Sequence, residues 1–186
     1  MKKSISIFIL ATSLFAVSCG SEETAETVNK TEAKTVTLPP DATQAFGQKV
    51  TELVIANDYA GLTSLIITKD EMTKAIQGST APANGKEFAI SRVEDEIKEM
   101  QVDVKTGLDQ IRASGTTAGI VWDKCTFKEA RPSIDQSRGF DMMQLKCVID
   151  CNGTEHIFTV TDVVGTDAGW KLGGKMIYGE VSTQSK

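Results

Sequence analysis

Three cysteines and a lone histidine, crowded into the last third of a 186-residue chain, are the residues best suited to chemistry: Cys125, Cys147, Cys151 and His156. Thiolates and imidazole suggest zinc, but zinc needs its ligands to converge with bonds near ~2.3 Å, and no Cys-x-x-Cys pair supplies a tight corner. Cys147 and Cys151 lie four apart on one predicted strand, which puts their Cα atoms about 13 Å apart. That spacing excludes a shared ion, and it excludes a disulfide between them, which needs less than about 7 Å. No metal site is therefore expected. The remaining expectation is a disulfide between Cys125 and Cys147, worth roughly 3 kcal/mol as a loop closure. Cys151 is then a buried thiol, or the partner of Cys125 under a different register.

A second constellation is an acid–base pair. Strand register places Asp123 and His156 on one face, flanking Ile149, about 9.5 Å apart with room for a small ligand between them. The plainer reading puts Asp123 in water near a strand end and makes His156 a hairpin residue. Nucleophile motifs, a Gly-rich phosphate loop and a calcium-loop pattern are all missing. No cofactor is expected, and catalysis is the lesser reading.

The elements that must position these residues are short β-rich runs: Gly119 to Lys128, Phe140 to Cys151, Glu155 to Val164 and Trp170 to Tyr178. Asn152-Gly153 between two of them predicts a two-residue hairpin pairing Cys151 with Thr154. Alternation then puts Met143, Leu145, Cys147, Ile149, Cys151, Phe158 and Val160 on one face. Val121, Cys125 and Phe127 join it from the first strand, and Trp170, Leu172 and Met176 from the last. Trp170, Phe158 and Met176 are the candidate lining of a ligand pocket. The back face mixes Lys124, Gln144, Lys146, Asp150, Thr159 and Thr161 with Ile120, Trp122, Val148 and Ile157. Such a half-apolar surface offers a contact for a homodimer or for assembly.

Helical spacing governs the segment before the strands. Phe46, Val50, Leu53 and Val54 share one face, and a short helix follows from Tyr59 to Ile66. Thr68 caps a third helix, Lys69 to Ile76, ahead of a loop from Gly78 to Gly85. Ile90, Val93, Ile97, Met100, Val104, Leu108 and Ile111 form one stripe of a long amphipathic helix ending before Gly115. The charges off that stripe, from Glu94 to Asp103, are a solvated face. Helices followed by an antiparallel meander make an α+β domain, with the long helix packed on a curved four-stranded sheet.

Charge and composition bound the partners. The chain has 20 basic and 25 acidic residues, and removal of Lys2 and Lys3 with a signal segment leaves a net charge of about −7, which does not attract phosphate backbones. No nucleic-acid role is expected. Residues 19–40 hold almost no large apolar group and close on Pro39-Pro40, so they read as a flexible stalk with a reach of roughly 25 Å. Residues 41–186 have the size of a single domain.

Ahead of the stalk, Met1-Lys2-Lys3 and an apolar run from Ile5 to Val17 read as a signal segment, since a span needs about 20 apolar residues. Ala16-Val17-Ser18-Cys19 resembles the lipobox of bacterial lipoproteins. That resemblance implies cleavage after residue 18, acylation of Cys19, and attachment to the membrane through several acyl chains. Ser21-Glu22-Glu23 just behind it resembles the surface-export signal of Bacteroidetes lipoproteins, which implies the outer membrane, on its periplasmic or surface side.

The order of helices and strands, with Ala168-Gly169-Trp170-Lys171-Leu172 in the last strand, resembles the nuclear transport factor 2-like, cystatin-like cone. The resemblance implies a curved sheet wrapped on a long helix with a pocket at its wide end. The functional expectation is a non-enzymatic envelope lipoprotein binding a small apolar ligand or a protein partner. Its rivals are a cone-fold isomerase or dehydratase using Asp123 and His156, and an assembly role through the back of the sheet.

Overall fold

The computed structural model describes residues 40–135 and 141–179. The signal segment, Cys19 and the stalk up to residue 39 lie outside the described residues. What is described is an α+β unit of four α-helices and an antiparallel sheet.

Helix α1 (Pro40–Ile55) buries Phe46, Val50, Leu53 and Val54. Its C-terminal turn has no basic residue of its own. Arg112 supplies one from elsewhere, donating from Nη1 to the Ile55 carbonyl at 2.6 Å and to that of Val54 at 3.5 Å. A cation at that place satisfies carbonyls that the helix leaves unpaired and complements its dipole. Helix α2 (Tyr59–Ser64) is capped by Asp58, whose carboxylate accepts from Gly61 N–H at 2.8 Å.

Helix α3 (Lys69–Gly78) starts on a capping box. The Thr68 hydroxyl accepts from Glu71 N–H, and the Glu71 carboxylate accepts from Thr68 N–H. Such reciprocity satisfies two orphan donors at once. Glu71 also reaches Lys171 at 3.4 Å, which ties α3 to the sheet.

Helix α4 (Ala83–Thr117) is 35 residues long and buries Val93, Met100, Val104, Leu108 and Ile111. It continues through Gly115, where the spacing predicted an end. The reason is packing: a Cβ on Gly115 would lie 2.3 Å from the Trp122 ring, so the glycine makes room for an indole and does not terminate the helix.

The first strand differs most from expectation. Trp122–Lys124 form a 3-10 turn, and β1 runs later, Cys125–Asp135. The sequence read Gly119 to Lys128 as extended because it is apolar and β-rich, but the packing of Trp122 on Gly115 bends the chain there. Ile120 (5% exposed) and Trp122 (7%) belong to the core, whereas Val121, expected inside, is 46% exposed. Trp122 lies under the Arg112 guanidinium, 4.6 Å from the ring centre, and its N–H donates to Thr116 Oγ1 at 3.2 Å. Val148 is fully buried as well. The half-apolar back surface that suggested a dimer contact therefore loses three of its four apolar members.

Strands β2 (Met142–Cys151) and β3 (Thr154–Thr166) form the expected hairpin. Asn152 and Gly153 both take positive φ, at 58° and 81°, as a type I′ turn requires. Cys151 pairs with Thr154, Cys147 with Phe158 and Ile149 with His156. The last predicted strand is two pieces, β4 (Gly169–Leu172) and β5 (Met176–Tyr178), separated by Gly173-Gly174-Lys175. Both pair with β3, β4 at its C-terminal end and β5 at its middle, Phe158 to Val160, so the sheet order is β1-β2-β3 and then β4 or β5.

Both edges are covered where they meet the helices. Gln44 of α1 donates its amide to the Ala130 carbonyl at 2.6 Å and accepts from Ala130 N–H at 2.9 Å, doing for β1 what another strand would do. Ala130 thus turns its backbone groups away from β2, and Pro132, two residues on, has no N–H to leave unpaired on that side. On the other edge, Ile67 N–H donates to the Leu172 carbonyl and Leu172 N–H to that of Leu65. Exposed ladder groups invite pairing with other chains, and these contacts remove several of them.

Candidate functional site

The disulfide joins Cys125 to Cys151 and not Cys125 to Cys147, and Cys147 is a buried free thiol. Cys125 stands opposite Cys151 on β1 and β2, and Ala130 takes the place opposite Cys147. The true register thus lies four residues from the expected one at Cys125 and five beyond the bulge. The cause is the late start of β1, together with a bulge between Phe127 and Glu129. Burial pushes the Cys147 thiol up to about 12, against the pull of the Thr51 hydroxyl beside it. A thiol held in that form is a poor nucleophile and a poor metal ligand. Among the described residues no group of three or more His, Cys, Asp or Glu side chains could hold a metal ion.

The same register change separates the acid–base pair. Phe127 stands opposite Ile149, where Asp123 was expected. Asp123 lies on the 3-10 turn, exposed, outside the sheet. His156 keeps its place opposite Ile149, and its Nδ1 shares a hydrogen bond of 3.1 Å with the Tyr178 hydroxyl. The geometry does not bring together the two groups an isomerase or dehydratase would need.

Of the three pocket candidates, Phe158 and Met176 are closed into the core, each 1% exposed. Met176 is held by α4: Gly107 approaches so closely that a Cβ there would lie 2.5 Å from the Met176 carbonyl oxygen. Trp170 is different. It is half-buried and stands on β4 opposite Gly165 of β3. The neighbouring pair, Val163 and Leu172, shares its face and is fully buried, so Trp170 continues the inner face to its end.

A third residue completes that row. A Cβ built on Gly165 would sit 3.1 Å from the Cβ of Asp141 and 3.2 Å from Cζ3 of Trp170. Gly165 N–H also donates to the Asp141 carbonyl at 2.9 Å. Asp141, Gly165 and Trp170 therefore lie side by side at one end of the inner face, the glycine letting the aspartate and the indole close in on its backbone. On β1, Ile134 faces the same way, paired with Met143, and is 68% exposed.

Two side-chain atoms of this row lack partners. Asp141 Oδ2 and Trp170 Nε1 are both closed off from water and neither makes a hydrogen bond. Each unsatisfied buried group costs about 1–3 kcal/mol, and such groups are rare enough in folded proteins to call for an explanation. Desolvation also raises the Asp141 carboxyl above its ordinary value. The row thus holds one acceptor and one donor, both closed off from water, beside apolar surface. Sequence reasoning found Trp170 but missed Asp141, which stands inside the predicted run from Phe140 to Cys151 and receives no role there. The available signal was Gly165: read as the start of a turn, it is the last inward-facing position of β3.

No family model, curated protein or solved structure matches this chain. The geometry of the row is therefore what supports a functional reading.

Proposed function

We propose that the protein is a non-enzymatic lipoprotein of the bacterial cell envelope, held at the outer membrane through acylated Cys19, whose domain binds a small, partly apolar ligand at the Asp141–Trp170 end of the sheet. The single observation that carries the binding reading is the pair of unpartnered buried atoms on either side of Gly165. A ligand that accepts from the indole and donates to the carboxylate recovers what the free protein loses there.

The proposal includes the nuclear transport factor 2-like, cystatin-like cone. Helices that precede an antiparallel meander support it, as does the contact of α1 with β1, β2 and β4. In this reading α4 is the long amphipathic helix of the cone and the sheet curves around the core, so that the Trp170 end is the wide one. The lipid anchor rests on the residues from Ala16 to Cys19.

Two measurements test the two halves. Metabolic labelling with a clickable fatty acid should mark the protein and should fail after Cys19→Ala. Indole N–H resonances of the chain, assigned through Trp170→Phe and Trp122→Phe, should respond to a fragment set at millimolar concentration in Trp170 and not in Trp122. A Trp170 resonance that ignores every fragment refutes ligand binding at this place.

A further inference from the structure

We infer that the end of the stalk, Thr35 to Leu38, adds to the sheet as a strand antiparallel to β1, along the free edge from Pro132 to Ile134. Among the described strands, β1 has only β2 beside it. Ala130 turns its N–H and C=O away from β2, and Gln44 takes both. No register shift falls between Ala130 and Asp135, so alternation turns the backbone groups of Pro132 and Ile134 the same way. Among the described residues nothing bonds to the Pro132 carbonyl on that side, or to the N–H and carbonyl of Ile134. The Ile134 side chain is 68% exposed on the inner face. An unpaired edge beside an exposed apolar side chain is a template for one more strand.

The occupant follows from where the chain enters. Helix α1 begins at Pro40, one turn before Gln44, and therefore at the free edge of β1. From there it crosses inward: a Cβ on Gly47 would lie 2.4 Å from that of Ala130, and the Cys147 thiol of β2 approaches the Gly47 carbonyl. The residues ahead of Pro40 thus arrive outside the sheet, next to the unpaired groups, and their types suit a strand. Thr35-Val36-Thr37-Leu38 alternates polar with apolar, and Val36 and Leu38 are two of the three large apolar residues between Gly20 and Pro39. A residue ahead of proline is held extended, and Pro39-Pro40 does this to Leu38 and to Pro39 itself.

The register follows too. With Val36 opposite Ile134 and Leu38 opposite Pro132, both apolar side chains lie on the inner face beside Ile134. Val36 N–H then donates to the Ile134 carbonyl, Ile134 N–H to that of Val36, and Leu38 N–H to that of Pro132. Pro39 falls opposite Arg131, where a strand points its N–H away from β1, so the missing donor costs nothing there. Pro40 falls opposite Ala130, whose groups Gln44 already holds. The pairing does not depend on the lipid anchor; given that anchor, it leaves residues 20–34 as the tether, with a reach of about 20 Å.

Amide hydrogen exchange, followed by NMR on the whole chain with Cys19→Ser to keep it in solution, tests the pairing. The amides of Val36, Leu38 and Ile134 should exchange at least about tenfold more slowly than in an unstructured peptide, and those of Thr35 and Thr37, which point away from β1, should exchange freely. A cross-strand Hα–Hα contact between Thr37 and Ser133 should accompany that alternation. Val36→Pro, ahead of the described unit, removes one donor and should return the Ile134 amide to free exchange. Free exchange at Val36, Leu38 and Ile134 in the parent chain refutes the added strand. So does an Ile134 amide that stays protected in Val36→Pro: protection that falls on dilution assigns the edge to a second copy, and protection that does not assigns it to another part of the chain.

Discussion

Replacing Cys125, Cys151 and Cys147 one at a time by alanine separates the observed disulfide from its rival. The bridge between Cys125 and Cys151 spans 26 residues, and on a chain-entropy account a loop of that length stabilises the domain by about 3.5 kcal/mol. With a urea slope of about 1.5–2 kcal/mol/M for a domain of this size, the loss of either partner should lower the unfolding midpoint by about 2 M. Cys147→Ala removes only one buried sulfur from between Gly47 and Thr51. Its cost should be about 1 kcal/mol, or roughly 0.5 M. Cys125→Ala and Cys151→Ala should thus match each other, with Cys147→Ala well apart. A thiol assay, with Cys19→Ser to confine the count to the domain, should find no reactive thiol in the folded protein and one after denaturation. The register is refuted if Cys147→Ala behaves like Cys125→Ala while Cys151→Ala leaves the midpoint in place.

Three further substitutions probe the packing and the charges. Gly107→Ala gains up to about 1 kcal/mol of helix propensity, but its methyl meets the Met176 carbonyl oxygen at 2.5 Å. Thermal unfolding should show a net loss of about 1–3 kcal/mol. Gln44→Ala leaves the Ala130 N–H and C=O without their shared partner, and urea unfolding should register a loss of about 1–2 kcal/mol. Gln44→Glu should cost more, because it turns a carboxylate toward a carbonyl.

For Glu71, burial raises the carboxyl, but the Thr68 N–H and hydroxyl and the Lys171 ammonium outweigh it and hold it below its usual 4.5. A depressed carboxyl contributes stability above that value and loses it as pH falls through the folded pKa. Glu71→Gln should therefore cost about 1 kcal/mol at pH 7 and should match the parent protein in strong acid, as urea midpoints across that range would show.

Several elements were legible from neighbours in sequence alone. The α3 start follows from Thr68 and Glu71, three residues apart. The hairpin follows from Asn152-Gly153, where both residues accept positive φ. That turn then dictates which side chains of β2 and β3 share a face, and the pairs from Cys147 to Cys151 stand where alternation puts them. These are local effects: a cap, a turn and a two-residue period act within a few residues.

What needed the tertiary structure lies where one segment makes room for another. Gly115 reads as a helix end, yet it stays helical because Trp122 packs against it. The bend that follows delays β1 and slides its register by four residues, which selects Cys151 over Cys147 and removes Asp123 from the sheet. A strand with no short turn to its partner has no local feature to hold its register, so distant packing decides it. The candidate site is of the same kind. Asp141, Gly165 and Trp170 belong to three different segments. Their types are written in the chain, but their close approach and unpartnered atoms exist only once β3 lies against both neighbours.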